Sequence, residues 1–403
     1  MTKQNDNFFH EKKAWSKVKD ELLACYLTSY TAKILTTRKP LIYVDCFAGK
    51  GKFDDGNEGS PIIALKIIQN ALQTSSAAFK HVEANFIELE HHEQLAANLK
   101  DFHDTAELNI RIHAGNYEDK IREILNGKTG ANLFLYVDPY GIRYLDFDFF
   151  TSLTRQFRSV ELLINLNSLG FMREACRVLK IPFQNEVDLS DLKSRDDSLI
   201  RSRELLNRFA GGNYWEKIIC DFYENKMTHK NKRAFYDAER KFVGEYCNRL
   251  RRDAYEYVLN MPISVKLDGG IKYRMIYATN HDAGAILMAD NIFKRKELMR
   301  DIQLGMRQDL FAEYGDTDEV LSMEVADYLS QSNSYRRLSP LIAKFFTVHG
   351  VRCSSKDFVE ILKKLEAQGK ITVCRNPAVT KTGKPTKFFS EKGGQTLELK
   401  WNG

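Results

Sequence analysis

The stretch LIYVDCFAGKGKFDDGNEGSP, residues 41–61, passes directly from an apolar run into a loop rich in glycine. The run at 41–47 predicts a buried β-strand, because short apolar runs bounded by turn residues are typical of parallel sheets. Ser60 and Pro61 then suit the N-cap and first position of a helix, and the apolar-periodic segment IIALKIIQNAL follows them. The stretch therefore predicts a strand, a loop and a helix in succession.

The same alternation continues along the chain. Further apolar runs predict strands at 83–89, 108–114, 132–137 and 160–166, with helical patterns between them. This alternation is typical of right-handed crossovers and a mainly parallel sheet. Within 254–280, two β-rich runs flank an Asp-Gly-Gly turn, which predicts a hairpin. A terminal antiparallel hairpin on five parallel strands is the arrangement of class I methyltransferases, so we expect a Rossmann-like α/β fold of that class.

Composition predicts how the rest of the chain is organised. We expect the Rossmann-like domain over residues 1–300, beginning with an amphipathic helix and carrying a charged helical insertion at 168–240. Residues 301–319 are expected to form a linker. Residues 320–403 show helical patterns followed by two β-rich runs around a turn that contains lysine, which is typical of a winged helix-turn-helix.

Overall composition excludes several classes of protein. Hydrophobic residues make up 43% of the 403 residues and charged residues 28%, as in ordinary globular proteins. The seven cysteines are scattered singly, so we expect neither a disulfide framework nor a metal centre. A long apolar run and a signal peptide are both lacking, which predicts a cytoplasmic protein with no membrane span. The formal charge of +6 is compatible with a polyanionic partner but does not establish one.

The glycine-rich loop predicts a binding site for a small molecule. Asp45 ends the first strand, and Gly49 and Gly51 follow it in the pattern D-x-x-x-G-x-G. Glycines let the backbone approach a ligand closely, while the next helix presents free N–H groups toward it. A tight strand-to-helix turn without any ligand would have the same pattern, so the loop alone does not decide.

Polar residues after the next two strands extend this prediction. Glu88 ends the second strand, where a carboxylate can accept hydrogen bonds from ribose hydroxyls of a nucleoside cofactor, and Glu90 is the alternative. Asn116 follows the third strand, where an adenine amino group could be recognised. The cofactor predicted from this arrangement is S-adenosylmethionine (SAM). The predicted cofactor-binding residues are Asp45, Phe47, Ala48, Gly49, Gly51, Glu88 and Asn116.

The most specific motif is LFLYVDPYG, residues 133–141, at the end of the fourth strand. Asp138, Pro139 and Tyr140 resemble the [DNS]-P-P-[YFW] tetrapeptide of amino-group methyltransferases, with one proline missing. The acid and a backbone carbonyl would accept hydrogen bonds from an exocyclic amine, and the ring would stack on its base. A strand-ending Asp-Pro turn without catalytic function is the alternative. We predict these three residues as the catalytic group of a methyltransferase acting on a nucleic acid or nucleotide-like base.

Five short segments follow one another along the chain: DCFAGKG (45–51), GSP (59–61), VDPYG (137–141), GGNYW (211–215) and YATNHDAG (277–284). Their order closely resembles the three-Cys-motif partner family. The resemblance covers most of the chain and implies a methyltransferase-like fold with a C-terminal winged helix. It also implies a partner that carries three cysteines and resembles radical-SAM enzymes. A non-catalytic or regulatory SAM-binding subunit of such a partner is therefore a second interpretation.

Two further alternatives concern the cofactor and the macromolecular partner. A nicotinamide-dependent oxidoreductase could use the same type of sheet, but the lack of a G-x-G-x-x-G motif disfavours it. In the C-terminal segment, basic residues predict contacts with the phosphates of DNA or RNA, although many winged helices contact protein instead. The predicted nucleic-acid-binding residues are Arg336, Arg337, Lys381, Lys384 and Lys387.

Overall fold

The computed structural model describes residues 10, 12, 14–181, 196–229, 234–264, 271–305, 318–391 and 393–402. The chain forms two compact units, Met1–Asn280 and His281–Gly403. None of the described helices is long and apolar enough to cross a membrane.

A seven-stranded sheet forms the centre of the first unit. Its order is β3-β2-β1-β4-β5-β7-β6, with β1 to β5 parallel and β7 antiparallel to both of its neighbours. This confirms the predicted Rossmann-like methyltransferase fold, with an antiparallel pair of strands at the end of the sheet. The predicted Asp-Gly-Gly turn of the hairpin, residues 268–270, lies outside the described residues. The strands are β1 (Leu41–Asp45), β2 (Val82–Glu88), β3 (Leu108–Ala114), β4 (Asn132–Val137), β5 (Ser159–Leu166), β6 (Tyr257–Ser264) and β7 (Ile271–Thr279).

Nine described α-helices and two short 3-10 helices, Leu35–Thr37 and Leu153–Arg155, accompany this sheet. Among the described residues between β5 and β6, helices extend as far as Asp253, beyond the predicted end of the insertion at 240, because buried apolar residues continue at helical spacing from Phe242 to Leu250. Residues 182–195 and 230–233 of the predicted insertion lie outside the described residues. The helices are α1 (Ala14–Ile34), α2 (Ser60–Thr74), α3 (His92–Leu99), α4 (Tyr117–Leu125), α5 (Phe147–Ser152), α6 (Ser168–Val178), α7 (Asp196–Ala210), α8 (Tyr214–His229) and α9 (Ala234–Asp253).

A buried glutamate ties α1 to the sheet. Glu161, in β5, is only 2% exposed. Its carboxylate accepts hydrogen bonds from the Tyr26 hydroxyl at 2.6 Å, the Thr279 hydroxyl at 2.9 Å and the Tyr277 hydroxyl. Because Tyr26 lies in α1 and the other donors lie in β7, the carboxylate joins the helix to two strands. Burial raises the pKa of Glu161 to about 7.

The raised pKa of Glu161 predicts a pH-dependent stability. Folding favours its protonated form, so the native state binds more protons than the unfolded state between the ordinary pKa of 4.5 and about 7. We expect the free energy of unfolding to fall as pH rises through this interval, with about 3 kcal/mol coming from Glu161. Urea unfolding at about pH 5 and pH 8 should show that Glu161→Gln removes this part of the decline, whereas Glu123→Gln, at an exposed site, retains it. An unchanged decline in Glu161→Gln would contradict the assignment.

The second unit contains four described helices and a small antiparallel sheet of order β8-β10-β9. Its core is apolar and lies among the helices, where Phe345 contacts Phe358 and Tyr328 through their rings. The elements are α10 (Asp282–Gly305), α11 (Asp318–Ser330), β8 (Arg336–Arg337), α12 (Leu338–His349), α13 (Ser355–Ala367), β9 (Ile371–Asn376) and β10 (Thr396–Trp401).

Helix α10 belongs to this second unit, although the sequence placed residues up to 300 in the first. Polar contacts explain the difference: Ser355 at the start of α13 donates its N–H to Asp290 at 2.6 Å, and the Lys296 ammonium donates to the Val351 carbonyl at 2.8 Å. The predicted linker at 301–319 is helical as far as Gly305, and residues 306–317 lie outside the described residues.

Candidate functional site

The predicted site residues follow the carboxyl ends of neighbouring strands. Asp45, the last residue of β1, is aligned with Phe86 in β2 on one side and with Tyr136 in β4 on the other. The carboxyl ends of these parallel strands therefore lie side by side at one edge of the sheet. Ligands of open α/β sheets bind at this edge, in the crevice outside the strand ends.

The glycine loop needs glycine for two separate physical reasons. Gly49 and Gly51 have φ angles of +62° and +75°, in the left-handed region that other residues rarely adopt. The Gly49 N–H donates to a Glu88 carboxylate oxygen at 2.8 Å. A Cβ atom on Gly51 would lie 2.9 Å from Leu95 Cδ1, so the loop also packs tightly against α3. The loop is thus fixed against β2 and α3 before any ligand binds.

The Glu88 carboxylate holds the glycine loop and retains a hydrogen-bond acceptor position for a ligand. One of its carboxylate oxygens accepts the Gly49 N–H, and the other accepts the N–H groups of Glu90 and His91, each at 3.0 Å. A carboxylate offers about four acceptor positions, so about one remains for a hydroxyl. Of the two predicted alternatives, it is Glu88 whose carboxylate contacts the glycine loop.

Asp45 shapes the loop from beneath. Its side chain is fully buried, and one oxygen accepts a hydrogen bond from the Ser60 hydroxyl at 2.6 Å, the other from the Phe47 N–H at 3.3 Å. Burial raises the pKa of Asp45 to about 7. Because Asp45 has no exposed surface, we assign it to positioning the loop rather than to direct cofactor contact. Ser60 is the first residue of α2 and Gly59 its N-cap, which corrects the prediction of Ser60 as N-cap.

The remaining predicted cofactor residues have contacts within the fold. The ring of Phe47 lies 5.1 Å from that of Tyr117 and 5.5 Å from that of Tyr144, between ring centroids, so it belongs to an apolar cluster beside the loop. Ala48 is buried, and its N–H donates to the Ile87 carbonyl at 3.0 Å. Asn116 is the N-cap of α4, where its side chain accepts the Asp119 N–H. We therefore do not include Asn116 among the proposed cofactor contacts.

At the end of β4, Asp138 accepts hydrogen bonds from three side chains. The Lys19 ammonium donates to Oδ2 at 2.6 Å, the Tyr136 hydroxyl donates to the same oxygen at 3.3 Å, and the Asn165 amide donates to Oδ1 at 2.6 Å. These donors occupy about three of the four acceptor positions of the carboxylate. The side chain of Asp138 is 22% exposed, and the remaining acceptor position is on Oδ1, which accepts one hydrogen bond where Oδ2 accepts two.

The two residues after Asp138 differ sharply in exposure. Pro139 is buried, whereas Tyr140 is 73% exposed, an unusual value for an aromatic residue that follows a buried strand. Its ring is available to stack on a planar ligand beside Asp138. The predicted catalytic residues therefore provide one fixed carboxylate and one exposed aromatic face at the same strand end.

Sequence patterns alone did not identify Lys19 or Asn165 as part of this site. Each interrupts an otherwise apolar pattern: Lys19 lies within the buried face of α1, and Asn165 lies within the apolar strand β5. A polar residue that is buried in such a position requires a hydrogen-bonding partner. The interruption of the apolar pattern is therefore the sequence feature that could have indicated these two residues. The partner itself comes from tertiary structure, because Lys19 and Asp138 are 119 residues apart.

The hairpin between β9 and β10 carries three lysines on its surface. Lys381, Lys384 and Lys387 are exposed. The turn between the first two is closed by a hydrogen bond from the Thr380 N–H to the Lys384 carbonyl at 2.8 Å, and Gly383 has a φ of +77°. The ordered turn therefore presents positive charges on a defined backbone.

The two predicted arginines have partners inside the second unit. Arg336 donates to the Leu329 carbonyl at 2.8 Å, and its guanidinium lies over the Tyr328 ring at 5.4 Å from the centroid. Arg337 forms an ion pair with Glu391 at 2.9 Å. We therefore assign both arginines to the structure of the unit and retain the three lysines as candidates for phosphate contact.

Comparisons with known proteins give weak structural similarities. No model of a protein family matches the chain, and no curated protein matches it. The O-methyltransferase TomG from Streptomyces achromogenes, in complex with SAM, is 11% identical with a TM-score of 0.28, over 69% of this chain and 95% of that chain. An O-methyltransferase from Bacillus cereus, in complex with S-adenosylhomocysteine (SAH), is 11% identical with a TM-score of 0.26, over 68% of this chain and 95% of that chain. At such TM-scores these similarities carry no argument, and the fold assignment rests on strand order and direction.

Proposed function

We propose that the chain is a SAM-dependent methyltransferase acting on an amino group of a nucleic acid or nucleotide-like base. The observation that carries the proposal is the placement of two sites at one sheet edge. The glycine loop held by Glu88 follows β1, and the Asp138 carboxylate follows β4, which pairs directly with β1. A nucleoside cofactor and an acceptor base could therefore lie next to each other.

The residues around the glycine loop suit a nucleoside cofactor. Glu88 keeps about one acceptor position for a ribose hydroxyl, and the left-handed glycines bring backbone close to the ligand. Phe47 contributes an apolar surface beside the loop. When bound, SAM would supply an electrophilic methyl group: the C–N bond forms as the C–S bond breaks, S-adenosylhomocysteine leaves with the electron pair, and the nitrogen loses one proton to solvent. The contribution of the chain is to hold the cofactor and the acceptor in one orientation.

At the acceptor site, Asp138 orients the incoming amine. Its free position on Oδ1 accepts one N–H of the amino group, while the ring of Tyr140 stacks on the base. Lys19 and Asn165 keep the carboxylate in one rotamer, so the lone pair of the amine nitrogen is directed consistently. Such positioning, rather than a strong base, is what a displacement by a neutral amine requires.

A labelled-methyl assay on purified full chain tests the proposal. The chain is incubated with SAM labelled in its methyl group and with DNA, RNA or protein as acceptor. We expect label on nucleic acid, at an exocyclic amine identified by nucleoside analysis. SAM binding without transfer to any of the three acceptors would instead support the second candidate below.

A non-catalytic SAM-binding subunit is the second candidate, and one observation favours it. Asp138 already accepts hydrogen bonds from Lys19, Tyr136 and Asn165, so its carboxylate is largely occupied within the fold. In this interpretation the chain binds SAM and regulates a partner that resembles a radical-SAM enzyme with three cysteines. Co-purification with that partner, together with absence of transfer by the chain alone, would support it.

We further propose that the second unit is a winged helix that contacts nucleic acid through its hairpin. Its described elements run two helices, a short strand, two helices and the paired strands β9 and β10, and the strand order is β8-β10-β9. In such folds the wing contacts phosphates. Lys381, Lys384 and Lys387 are exposed on this hairpin, as phosphate contacts must be.

Salt titration tests the phosphate contacts. Each neutralised phosphate contributes about 0.9 to the slope of log K against log salt for duplex DNA. Replacing Lys381, Lys384 and Lys387 together by glutamine should therefore reduce the slope by about 2 to 3. Lys217→Gln, at an exposed lysine of α8 in the first unit that pairs with Asp221, is the control and should change the slope little. Affinity that does not depend on salt in the wild type would exclude the phosphate contacts.

A further inference from the structure

We propose that Lys19 makes the acceptor site selective for uncharged amino groups and against protonated alkylamines. The inference rests on the proposed function, since it concerns the same acceptor site. The Lys19 ammonium lies 2.6 Å from Asp138 Oδ2, with side chains that are 7% and 22% exposed. An acceptor that approaches Asp138 therefore meets a carboxylate whose charge is already compensated.

The position of Lys19 on α1 points to the site rather than to helix packing. From Leu22 onward, α1 buries mainly apolar residues, including Tyr26 and Leu27. Toward its N-terminus it buries the polar residues Ser16, Lys19 and Asp20 together with the apolar Val18. Burying a lysine is costly unless it is paired. The buried polar residues lie where Lys19 reaches Asp138, just after the end of β4.

The other charged groups near Lys19 do not disturb the charge compensation between Lys19 and Asp138. Asp20 forms an ion pair with Lys12 at 2.5 Å, so each lysine has its own carboxylate. Burial raises the pKa of Asp45 to about 7, and its oxygens are hydrogen-bonded to Ser60 and Phe47. The Tyr273 ring lies over the Lys19 ammonium at 5.6 Å. Below about pH 7, where Asp45 is largely protonated, the surroundings of the acceptor position are thus close to electrically neutral.

A neutral pair discriminates between two classes of amine. An exocyclic amine of a base is uncharged, donates one N–H to Asp138 Oδ1 and keeps its lone pair for the new C–N bond. A protonated alkylamine brings a positive charge toward Lys19 without a compensating carboxylate, and like charges in a partly buried site repel. It also lacks a lone pair until it loses a proton. Lys19 therefore excludes the side chains of lysine and similar cations from the site.

Binding of methylammonium tests this inference without requiring catalysis. Lys19→Gln removes the charge but keeps a hydrogen-bond donor for Asp138, so the carboxylate becomes uncompensated. We expect methylammonium chloride, compared with sodium chloride at equal ionic strength, to raise the Tm of Lys19→Gln and not that of the wild type. The control Lys17→Gln, at an exposed lysine of the same helix, should behave as the wild type. The double variant Lys19→Gln/Asp138→Asn should lose the shift.

A second variant and a transfer assay complete the test. Lys19→Met, which also lacks the charge, should gain the same Tm shift; absence of the shift in both variants overturns the inference.

In the transfer assay, the ratio of methylation on oligonucleotides to that on poly-lysine should fall at least tenfold in Lys19→Gln. If the wild type methylates nothing but the Tm shift is found, charge compensation by Lys19 stands and the proposed function fails. Efficient methylation of poly-lysine by the wild type refutes the selectivity.

Discussion

Replacing Asp138 by alanine is expected to lower kcat for methyl transfer by about 100- to 1000-fold, while the Kd for SAM changes less than about threefold. The variant loses the Oδ1 position that would accept the amine N–H, so the acceptor is no longer oriented. The glycine loop and Glu88 make no contact through Asp138 among the described hydrogen bonds, so cofactor binding should persist. Transfer kinetics and calorimetry with SAM measure the two quantities separately.

The Asp138→Ala variant also leaves Lys19 without its carboxylate partner. Removing one member of a buried pair can cost about 3 to 5 kcal/mol, and partial exposure of Asp138 reduces this cost. Urea unfolding should therefore accompany the kinetics, to establish that the variant is folded. Asp148→Ala, at an exposed acid in α5, is the matched control and should keep both stability and turnover. Wild-type turnover in Asp138→Ala would show that the amine-orienting role is wrong.

Replacing Gly49 by valine is expected to raise the Kd for SAM by more than about 100-fold. Gly49 has a φ of +62°, which a β-branched residue adopts only with strain, and its N–H donates to Glu88. Valine would therefore move the loop away from Glu88 and disturb both parts of the predicted cofactor site. Calorimetric titration with SAM measures the loss.

Gly56 provides a matched control in the same loop. It has a φ of +84°, and a Cβ atom added there would have no heavy atom within 4 Å other than those of the adjacent residues in the chain. Gly56→Val thus introduces comparable backbone strain without touching Glu88. We expect it to retain SAM binding within a few-fold of the wild type. Equal losses in the two variants would mean that general loop strain, rather than the Gly49–Glu88 contact, explains the effect.

The strands of the first unit were predictable because their patterns are local. The run at 41–47 matches β1 (Leu41–Asp45), and the run at 108–114 matches β3. Once the strand order follows from the alternation with helices, the residues after each strand must gather at one edge. This is why the glycine loop and the Asp138 motif could be associated before the fold was known.

The partners of Asp138 were not predictable in the same way. Lys19 lies on a helix that precedes β1, and Asn165 lies at the end of β5, so both reach Asp138 only through tertiary packing. A single polar residue in an apolar pattern signals that a partner exists but does not identify it. Asp45 was predicted to contact the cofactor, but the structure buries it completely. This burial arises from tertiary packing at the end of β1, which the sequence pattern does not reveal.

The C-terminal residues show the same limit. Arg336 and Arg337 looked suited to phosphate contact from charge alone, but Arg336 contacts a carbonyl and an aromatic ring of the unit, and the exposed Arg337 pairs with a carboxylate. Likewise, α10 follows the terminal hairpin directly in sequence, yet its hydrogen bonds through Asp290 and Lys296 join it to the C-terminal helices. Charge and sequence proximity do not determine which surface a side chain contacts.

In the proposed function, the loop of Gly49 and Glu88 binds SAM. A calorimetric titration of the full chain tests this binding most directly, with SAM and NAD as separate ligands and Gly49→Val as the comparison. We predict saturable binding of SAM by the wild type, its loss in Gly49→Val, and no saturable binding of NAD. Saturable binding of NAD without binding of SAM would contradict the assignment of this loop.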